Sequence, residues 1–229
     1  MKVLVAAVLG IALLAGQANA VEKTVLKTEK EKVSYSIGLN IGSNFKMQSM
    51  DIDVDALAKG IKDAIALNKP LLSQKEIQDT MTAFQKEMEA KQQEKMKVVG
   101  DKNKKDGEAF LAANKKKDGI KTTASGLQYK VIKEGTGKKP SAKDTVTVNY
   151  RGTMIDGTEF DSSYKRGEAT SFPVDQVIPG WTEALQLMKV GSKYELFIPS
   201  NIAYGERGAG PQIGPNATLI FEVELVSIK

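Results

Sequence analysis

The segment GTEFDSSY, Gly157 to Tyr164, sets Asp161 directly after Phe160 and before two serines, in a chain with no histidine and no cysteine. Those absences bound the chemistry. There is no imidazole to move a proton near neutral pH, and no thiolate to attack a substrate or hold a soft metal. Among oxygen ligands, Asp51, Asp53 and Asp55 open like a calcium loop. The sixth position is Ala56 and the twelfth Lys62, where such a loop needs a glycine and a bidentate glutamate. Helix capping by Asp53 is the better account. What remains is one carboxylate beside an aromatic ring, acting by shape and electrostatics. No metal and no cofactor is expected.

The elements that must carry this site divide by composition. The chain has 229 residues, 41% apolar and 27% charged, with a formal charge of +5. That suits one or two globular domains. The lysine runs at Lys102–Lys105 and Lys115–Lys117 read as solvated helix faces. No basic strand interleaved with aromatics is present, so nucleic acid is not an expected partner. Residues 1–20 read as a secretory signal: Lys2, then the apolar VLVAAVLGIALLAG, then Ala18, Asn19 and Ala20. The apolar run is shorter than the roughly 20 residues that span a bilayer. Export follows, to the periplasm first, with the outer-membrane surface as the other destination.

Residues 21–72 read as helical. Val33, Ile37, Ile41 and Phe45 recur every four residues, and Gly38 and Gly42 form a small pair on one helix. Asp53 then caps a helix with Leu57, Ile61 and Ile65 on one face. Residues 73–118 begin with the capping box SQKE and continue as a long helix with Ile77, Met81, Phe84 and Met88 on one face. Beyond Met88 the helix is polar nearly all round, the pattern of one that bridges solvent. About 40 residues would span about 60 Å. Gly100 and Gly107 are expected bends, and Gly119 the terminating residue. These two regions hold too few large apolar residues to form a core alone. A homodimer through residues 21–90 is therefore expected.

Residues 119–229 change character. LQYKVI, TVTVNYRG, TEFDSS, KYELFIP and TLIFEVELVSI are short β-branched or aromatic runs. Asp156–Gly157 supplies a hairpin turn, and GWTEALQLMKVG one short helix. The fold class is α+β: an antiparallel sheet with a helix on one face.

VNYRGTMIDGTEFDSS, VIPGWTEALQLMKVGSKYELFIPSNIAYG and GPNATLIFEVELVSI, in this order, resemble the FKBP-type peptidyl-prolyl cis-trans isomerases. YSIGLNIGSNF and GEAFLAANKKKDGIKTTASGLQY resemble the helical dimerisation arm of the exported Mip/FkpA-like subgroup. The resemblance implies a half-barrel sheet wrapped on the short helix. It also implies an apolar pocket lined by Tyr150, Phe160, Phe172, Val177, Ile178, Trp181 and Phe221, with Trp181 as its floor. Asp161, Arg166 and Tyr204 would stand at the mouth, Ile213 in the flap beyond Tyr204, and the Ile178 N–H would receive a carbonyl. Thr170 and Ala209 stand where relatives often carry rings, and Gly214 lies near the flap tip. These departures bear on macrolide affinity and on the residue preferred before proline.

Read singly, Phe172 and Phe221 are equally ordinary core residues, Tyr204 could bond a local carbonyl, and Arg166 could be a surface charge. As a set they suit proline's flat ring. Asp161 would then hydrogen-bond Arg166 or Tyr204 and position groups without moving a proton. The function implied is an exported isomerase acting on proline-containing or unfolded clients. The alternative is a holdase or peptide-binding protein that grips clients with Met47, Met50, Met81 and Met88.

Overall fold

The computed structural model describes residues 25–229, so the expected signal at residues 1–20 lies outside the described residues. Two compact units follow, divided after Ser73. In the first, helix α1 (Glu29–Met47) starts at Thr28, whose hydroxyl accepts from the Glu31 N–H while the Glu31 carboxylate bonds back to the Thr28 N–H. This capping box satisfies two of the four amides that a helix start leaves unpaired. Helix α2 (Val54–Ile65) starts as the sequence implies, with the Asp53 carboxylate accepting from the Ala56 N–H at 2.9 Å. Neither helix buries a residue within this chain. Val33 and Ile37 remain more than half exposed, and a Cβ added at Gly38 or Gly42 would meet nothing.

The second unit begins with helix α3 (Gln74–Asn114), 41 residues without a break, about 60 Å long. Two expectations are corrected here. Gly100 and Gly107 do not interrupt the helix, and both lie in contact with the C-terminal loop. A Cβ at Gly100 would press on Pro215, and one at Gly107 would overlap the Thr218 hydroxyl. Nor is the second half of α3 bathed in solvent all round. Val99, Gly100, Asn103, Gly107, Phe110, Leu111 and Asn114 form one buried or half-buried stripe at helical spacing. Phe110 packs against Phe197 with ring centroids 5.9 Å apart. The helix stops at Asn114, five residues before Gly119. There the buried Asn114 amide donates to Gln128 Oε1 at 3.0 Å, and Gln128 Nε2 donates to the Leu111 carbonyl at 2.9 Å. Gly119 takes its left-handed φ of 78° in the turn beyond.

The strands are β1 (Ile120–Thr122), β2 (Gln128–Lys133), β3 (Thr145–Met154), β4 (Glu159–Ser162), β5 (Thr170–Pro173), β6 (Lys193–Ile198) and β7 (Leu219–Ile228). They pair antiparallel in the order β1-β2-β6-β7-β3-β4, with β5 on the same edge of β3 as β4. The Met154–Thr158 turn joins β3 to β4, with Gly157 at φ 86° and the Thr158 N–H bonded to the Asp156 carboxylate. Period-two burial along β3 and β7 puts Val146, Val148, Tyr150, Leu219, Phe221, Val223 and Leu225 on one face. Helix α5 (Pro179–Leu187) covers that face with Trp181, Ala184 and Leu185. Each fully buried leucine contributes about 1.5–3 kcal/mol. A one-turn helix, α4 (Ser163–Arg166), capped by Ser162 and ended by Gly167 in the left-handed region, follows β4. Strands β1 and β5 and this turn are absent from the sequence reading.

The Gly107 contact is testable. A helix-interior glycine normally gains about 1 kcal/mol on conversion to alanine. Here Gly107→Ala should instead lower the unfolding free energy, by about 1 kcal/mol or more in urea titration. Adding Thr218→Ala, which removes the overlapping hydroxyl, should recover the loss. A stabilised single variant would refute the contact.

Candidate functional site

Four strands, helix α5, a 3-10 turn and the loop between β6 and β7 converge on one cavity of about 620 Å³. Its floor is Trp181, 4% exposed, in the first turn of α5. The indole is met edge-on by Tyr150 of β3 at 5.3 Å, Phe172 of β5 at 5.8 Å and Phe221 of β7 at 5.2 Å. Such T-shaped pairs set the positive ring edge against a negative face and add about 0.5–1.5 kcal/mol each. Phe160 of β4 stands edge-on to Phe221 at 5.5 Å. Gly152 makes that pair possible, because a Cβ there would overlap both rings. Val177 and Ile178 complete the apolar wall, delivered by the 3-10 turn Val174–Gln176. The Thr182 hydroxyl bonds the Val174 carbonyl at 2.7 Å and ties that turn to α5.

The polar groups form a closed set at the mouth. The Tyr150 hydroxyl donates to Asp161 Oδ2 at 2.5 Å. Arg166 donates from Nη1 to Asp161 Oδ1 at 2.5 Å, and from Nη2 to the Tyr150 hydroxyl at 2.8 Å and to Thr170 Oγ1 at 3.3 Å. Its guanidinium also lies over the Tyr150 ring, 5.4 Å from the centroid. The one-turn α4 makes this reach possible, turning the chain so that Arg166 folds back over Asp161. The Ser162 N–H gives the carboxylate a further bond at 2.8 Å. Below, the buried Ser163 hydroxyl accepts from the Tyr150 N–H at 2.8 Å and fixes the backbone under the ring.

Burial pushes the Asp161 carboxyl up, but the Tyr150 hydroxyl and the Arg166 guanidinium together outweigh it and leave it below its ordinary value. Burial pushes the Tyr150 hydroxyl up, and its bond to Asp161 adds to this. Burial likewise raises Tyr204, with the Asp161 charge contributing. At neutral pH the site therefore holds one carboxylate, one guanidinium and two neutral phenols.

The structure brings Tyr150, Phe160, Asp161, Phe172, Val177, Ile178, Trp181, Tyr204, Ile213 and Phe221 to the cavity surface, with Arg166 behind Asp161. Asp161 does pair with Arg166, but its second side-chain partner is Tyr150 and not Tyr204, because Tyr150 lies on the neighbouring strand whose Gly152 is in register with Asp161. The Tyr204 side chain, in a residue 40% exposed, makes no hydrogen bond among the described residues, so its hydroxyl is free for an occupant. Among the described residues the Ile178 N–H donates to no backbone carbonyl, while its C=O accepts from Trp181 and Thr182. Residues that sequence reasoning missed are Gln176, Pro211 and Gln212 on the rim, and Gly152 and Ser163 beneath. The close placement of Gly152 and Ser163 beside Tyr150 and Phe160 is the only sequence signal for the last two.

Comparison with known proteins agrees with this geometry. The family described as FKBP-type peptidyl-prolyl cis-trans isomerase matches residues 136–226. The domain amino terminal to FKBP-type peptidyl-prolyl isomerase matches residues 30–131. The outer membrane protein MIP of Legionella longbeachae is 50% identical over 100% of this chain and 98% of its own. The peptidyl-prolyl cis-trans isomerase Mip of Coxiella burnetii is 45% identical over 100% and 99%. The crystal structure of FkpA from Escherichia coli superposes with a TM-score of 0.71 at 42% identity, covering 90% of this chain and 99% of that one.

Titration tests the polar set. The Asp161 carboxyl carbon, followed by NMR, should give a midpoint below the ordinary 3.8. Tyr150→Phe or Arg166→Ala should each raise it. Because the folded value is depressed, the network's contribution to stability is complete above the ordinary value and is lost as pH falls through the folded one. A midpoint at or above 3.8 would overturn the network.

Proposed function

The chain belongs to the FKBP-type peptidyl-prolyl cis-trans isomerases, and we propose that the cavity over Trp181 is where it turns X–Pro bonds. The reaction breaks no covalent bond. Its barrier, about 18–20 kcal/mol, is the amide resonance lost on rotation. A rate gain of about 10⁵ needs that barrier lowered by about 7 kcal/mol. The twisted amide is less dipolar than the planar one, so an apolar cavity that displaces water favours it. The observation that carries this reading is the ring of aromatic edges around a buried tryptophan with one closed carboxylate network at its rim.

In this reading Phe160, Phe172, Trp181, Val177 and Phe221 hold the prolyl ring. The free Ile178 N–H receives a substrate carbonyl, and the Tyr204 hydroxyl a second. Pro179 follows Ile178 and has no N–H to compete for that carbonyl. Asp161, held by Tyr150 and Arg166, presents a fixed negative charge to the twisting amide and transfers no proton. The same cavity would accept the proline-like ring of a macrolide inhibitor.

Kinetics with a proline tetrapeptide test this. Folded Asp161→Ala should lower kcat/KM by less than about tenfold, and Phe160→Ala should raise KM by about tenfold or more. Full activity in both variants would remove the cavity from the mechanism.

The helical arm supports an assembly reading. A pair of helices that buries nothing in its own chain needs a cover. The exposed stripe Val33, Ile37 and Ile41 with the open Gly38 and Gly42 suits close approach of a second copy. We infer a homodimer through residues 21–90 that brings two isomerase sites to one unfolded client and raises their effective concentration. The exposed Met47 and Met81 favour a second, holdase-like contribution to client binding. The signal-like residues 1–20 support export, to the periplasm first. Among the described residues no helix is long and apolar enough to cross a membrane. Sedimentation of residues 21–229 at micromolar concentration should give twice the chain mass, and a monomer would refute the dimer.

A further inference from the structure

We propose that Asn103, on the long helix α3, is a positioning residue for the isomerase site, acting through the loop that joins β6 to β7. The proposal rests on the reading of the Trp181 cavity as that site. The loop spans Pro199–Thr218, 20 residues between Ile198 and Leu219. It holds two short 3-10 turns, Ser200–Ile202 and Gly205–Arg207, before its tip. The loop supplies Tyr204 and the whole tip Ala209–Ile213 to the cavity lining. The tip is a miniature hairpin in which Ala209 and Ile213 exchange two backbone hydrogen bonds, at 2.8 and 3.2 Å. No named strand supports it.

The support comes from α3. The Asn103 Nδ2 donates to the Pro215 carbonyl at 2.8 Å, across 112 residues of sequence. Gly214 lies against Asn103 and Val99, so closely that an added Cβ would press on both. Gly100 faces Pro215, and Gly107 faces Thr218, in the same manner. Asn216 closes the neck of the loop, donating its N–H to the Gly205 carbonyl at 2.8 Å, and holds φ at 55° to do so. The returning limb, Gly214 to Thr218, is thus clamped onto a helix that offers no side chain of its own at Gly100 and Gly107, where Pro215 and Thr218 press against the backbone. Among the described residues Asn103 is the one direct hydrogen-bond donor from α3 to that limb at ordinary length, and its acceptor Pro215 lies two residues from Ile213.

The consequence is preorganisation. A tip held at fixed height above Trp181 need not be ordered when a peptide binds, so the substrate's binding energy is not spent on that ordering. A tip released from α3 would still close over the peptide, at a cost in affinity and with the chemistry below unchanged. Asn103 touches neither substrate nor the reacting bond. Its role is read in KM and in the order of the tip.

The test uses the chain from residue 21 to 229 with Asn103→Ala and, independently, Asn103→Asp. The second keeps the size and sets an oxygen against the Pro215 carbonyl. Both sit on a half-buried helix face, outside the cavity. The expected result is a KM for a proline tetrapeptide raised about three- to tenfold with kcat within about twofold. Amide hydrogen exchange should quicken at Ala209 and Ile213 while Leu196 and Val223 keep their rates. Three results would overturn the proposal. One is unchanged exchange at the tip. Another is exchange that quickens equally throughout the sheet, or failure of both variants to fold, which makes Asn103 merely structural. The last is a loosened tip with unchanged KM. In that last case Phe160→Ala separates the possibilities: a raised KM there retains the cavity as the site and removes only the role of Asn103.

Discussion

The edge-on packing of Tyr150, Phe172 and Phe221 around the indole of Trp181 is the contact on which the cavity depends. These rings come from three different strands, and Trp181 from the helix that covers them. Each pair is worth little alone, about 0.5–1.5 kcal/mol beyond the area it buries. Together they fix the height of α5 over the sheet, the tilt of the floor and the position of the free Ile178 N–H one turn earlier. The Trp181 Nε1 is buried without a hydrogen-bond partner among the described residues. The indole is therefore oriented by ring contacts, and an unpaired polar atom is the cost of that arrangement.

The polar rim depends on the same contact. Tyr150 is both a ring against Trp181 and the hydroxyl that bonds Asp161, so one side chain joins the apolar floor to the charged mouth. The Arg166 pair with Asp161 is about two-fifths exposed on both sides. Solvent screens it, and its value lies in orientation more than in stability. This division suits a reaction without proton transfer. In the proposed mechanism the carboxylate is held ionised and aimed, and the barrier is addressed by the apolar aromatic surface behind it.

Much of this is legible in the sequence, for physical reasons that also mark the limits. Strands β2, β3, β4, β6 and β7 show because alternation along one buried face writes period two into TVTVNYRG or TLIFEVELV. Strands β1 and β5, of three and four residues, are too short to carry a period. The ring set is legible through its family motif. The partner of Asp161 is less so, since Tyr150 and Tyr204 are both phenols near one carboxylate and only the pairing of β3 with β4 decides between them. The buried face of α3 is invisible to a search for apolar periodicity because it is built largely from glycine and asparagine. A polar helix with glycines reads as solvated and bent. Here the small residues admit a loop more than a hundred residues away, which no local pattern encodes.

One edge of β3 is shared end to end by two short strands, β4 and β5, and everything between them, α4 included, is a single excursion of the chain. Residues 163–169 leave the sheet at Ser162 and rejoin it at Thr170, so their length and composition do not enter the register of any strand. The floor has less freedom, since Tyr150, Phe172 and Phe221 are each in register with a neighbouring strand and each meets the indole of Trp181 on α5. Descendants of this sequence can therefore remodel the lip of the cavity by insertion or substitution while inheriting its floor intact.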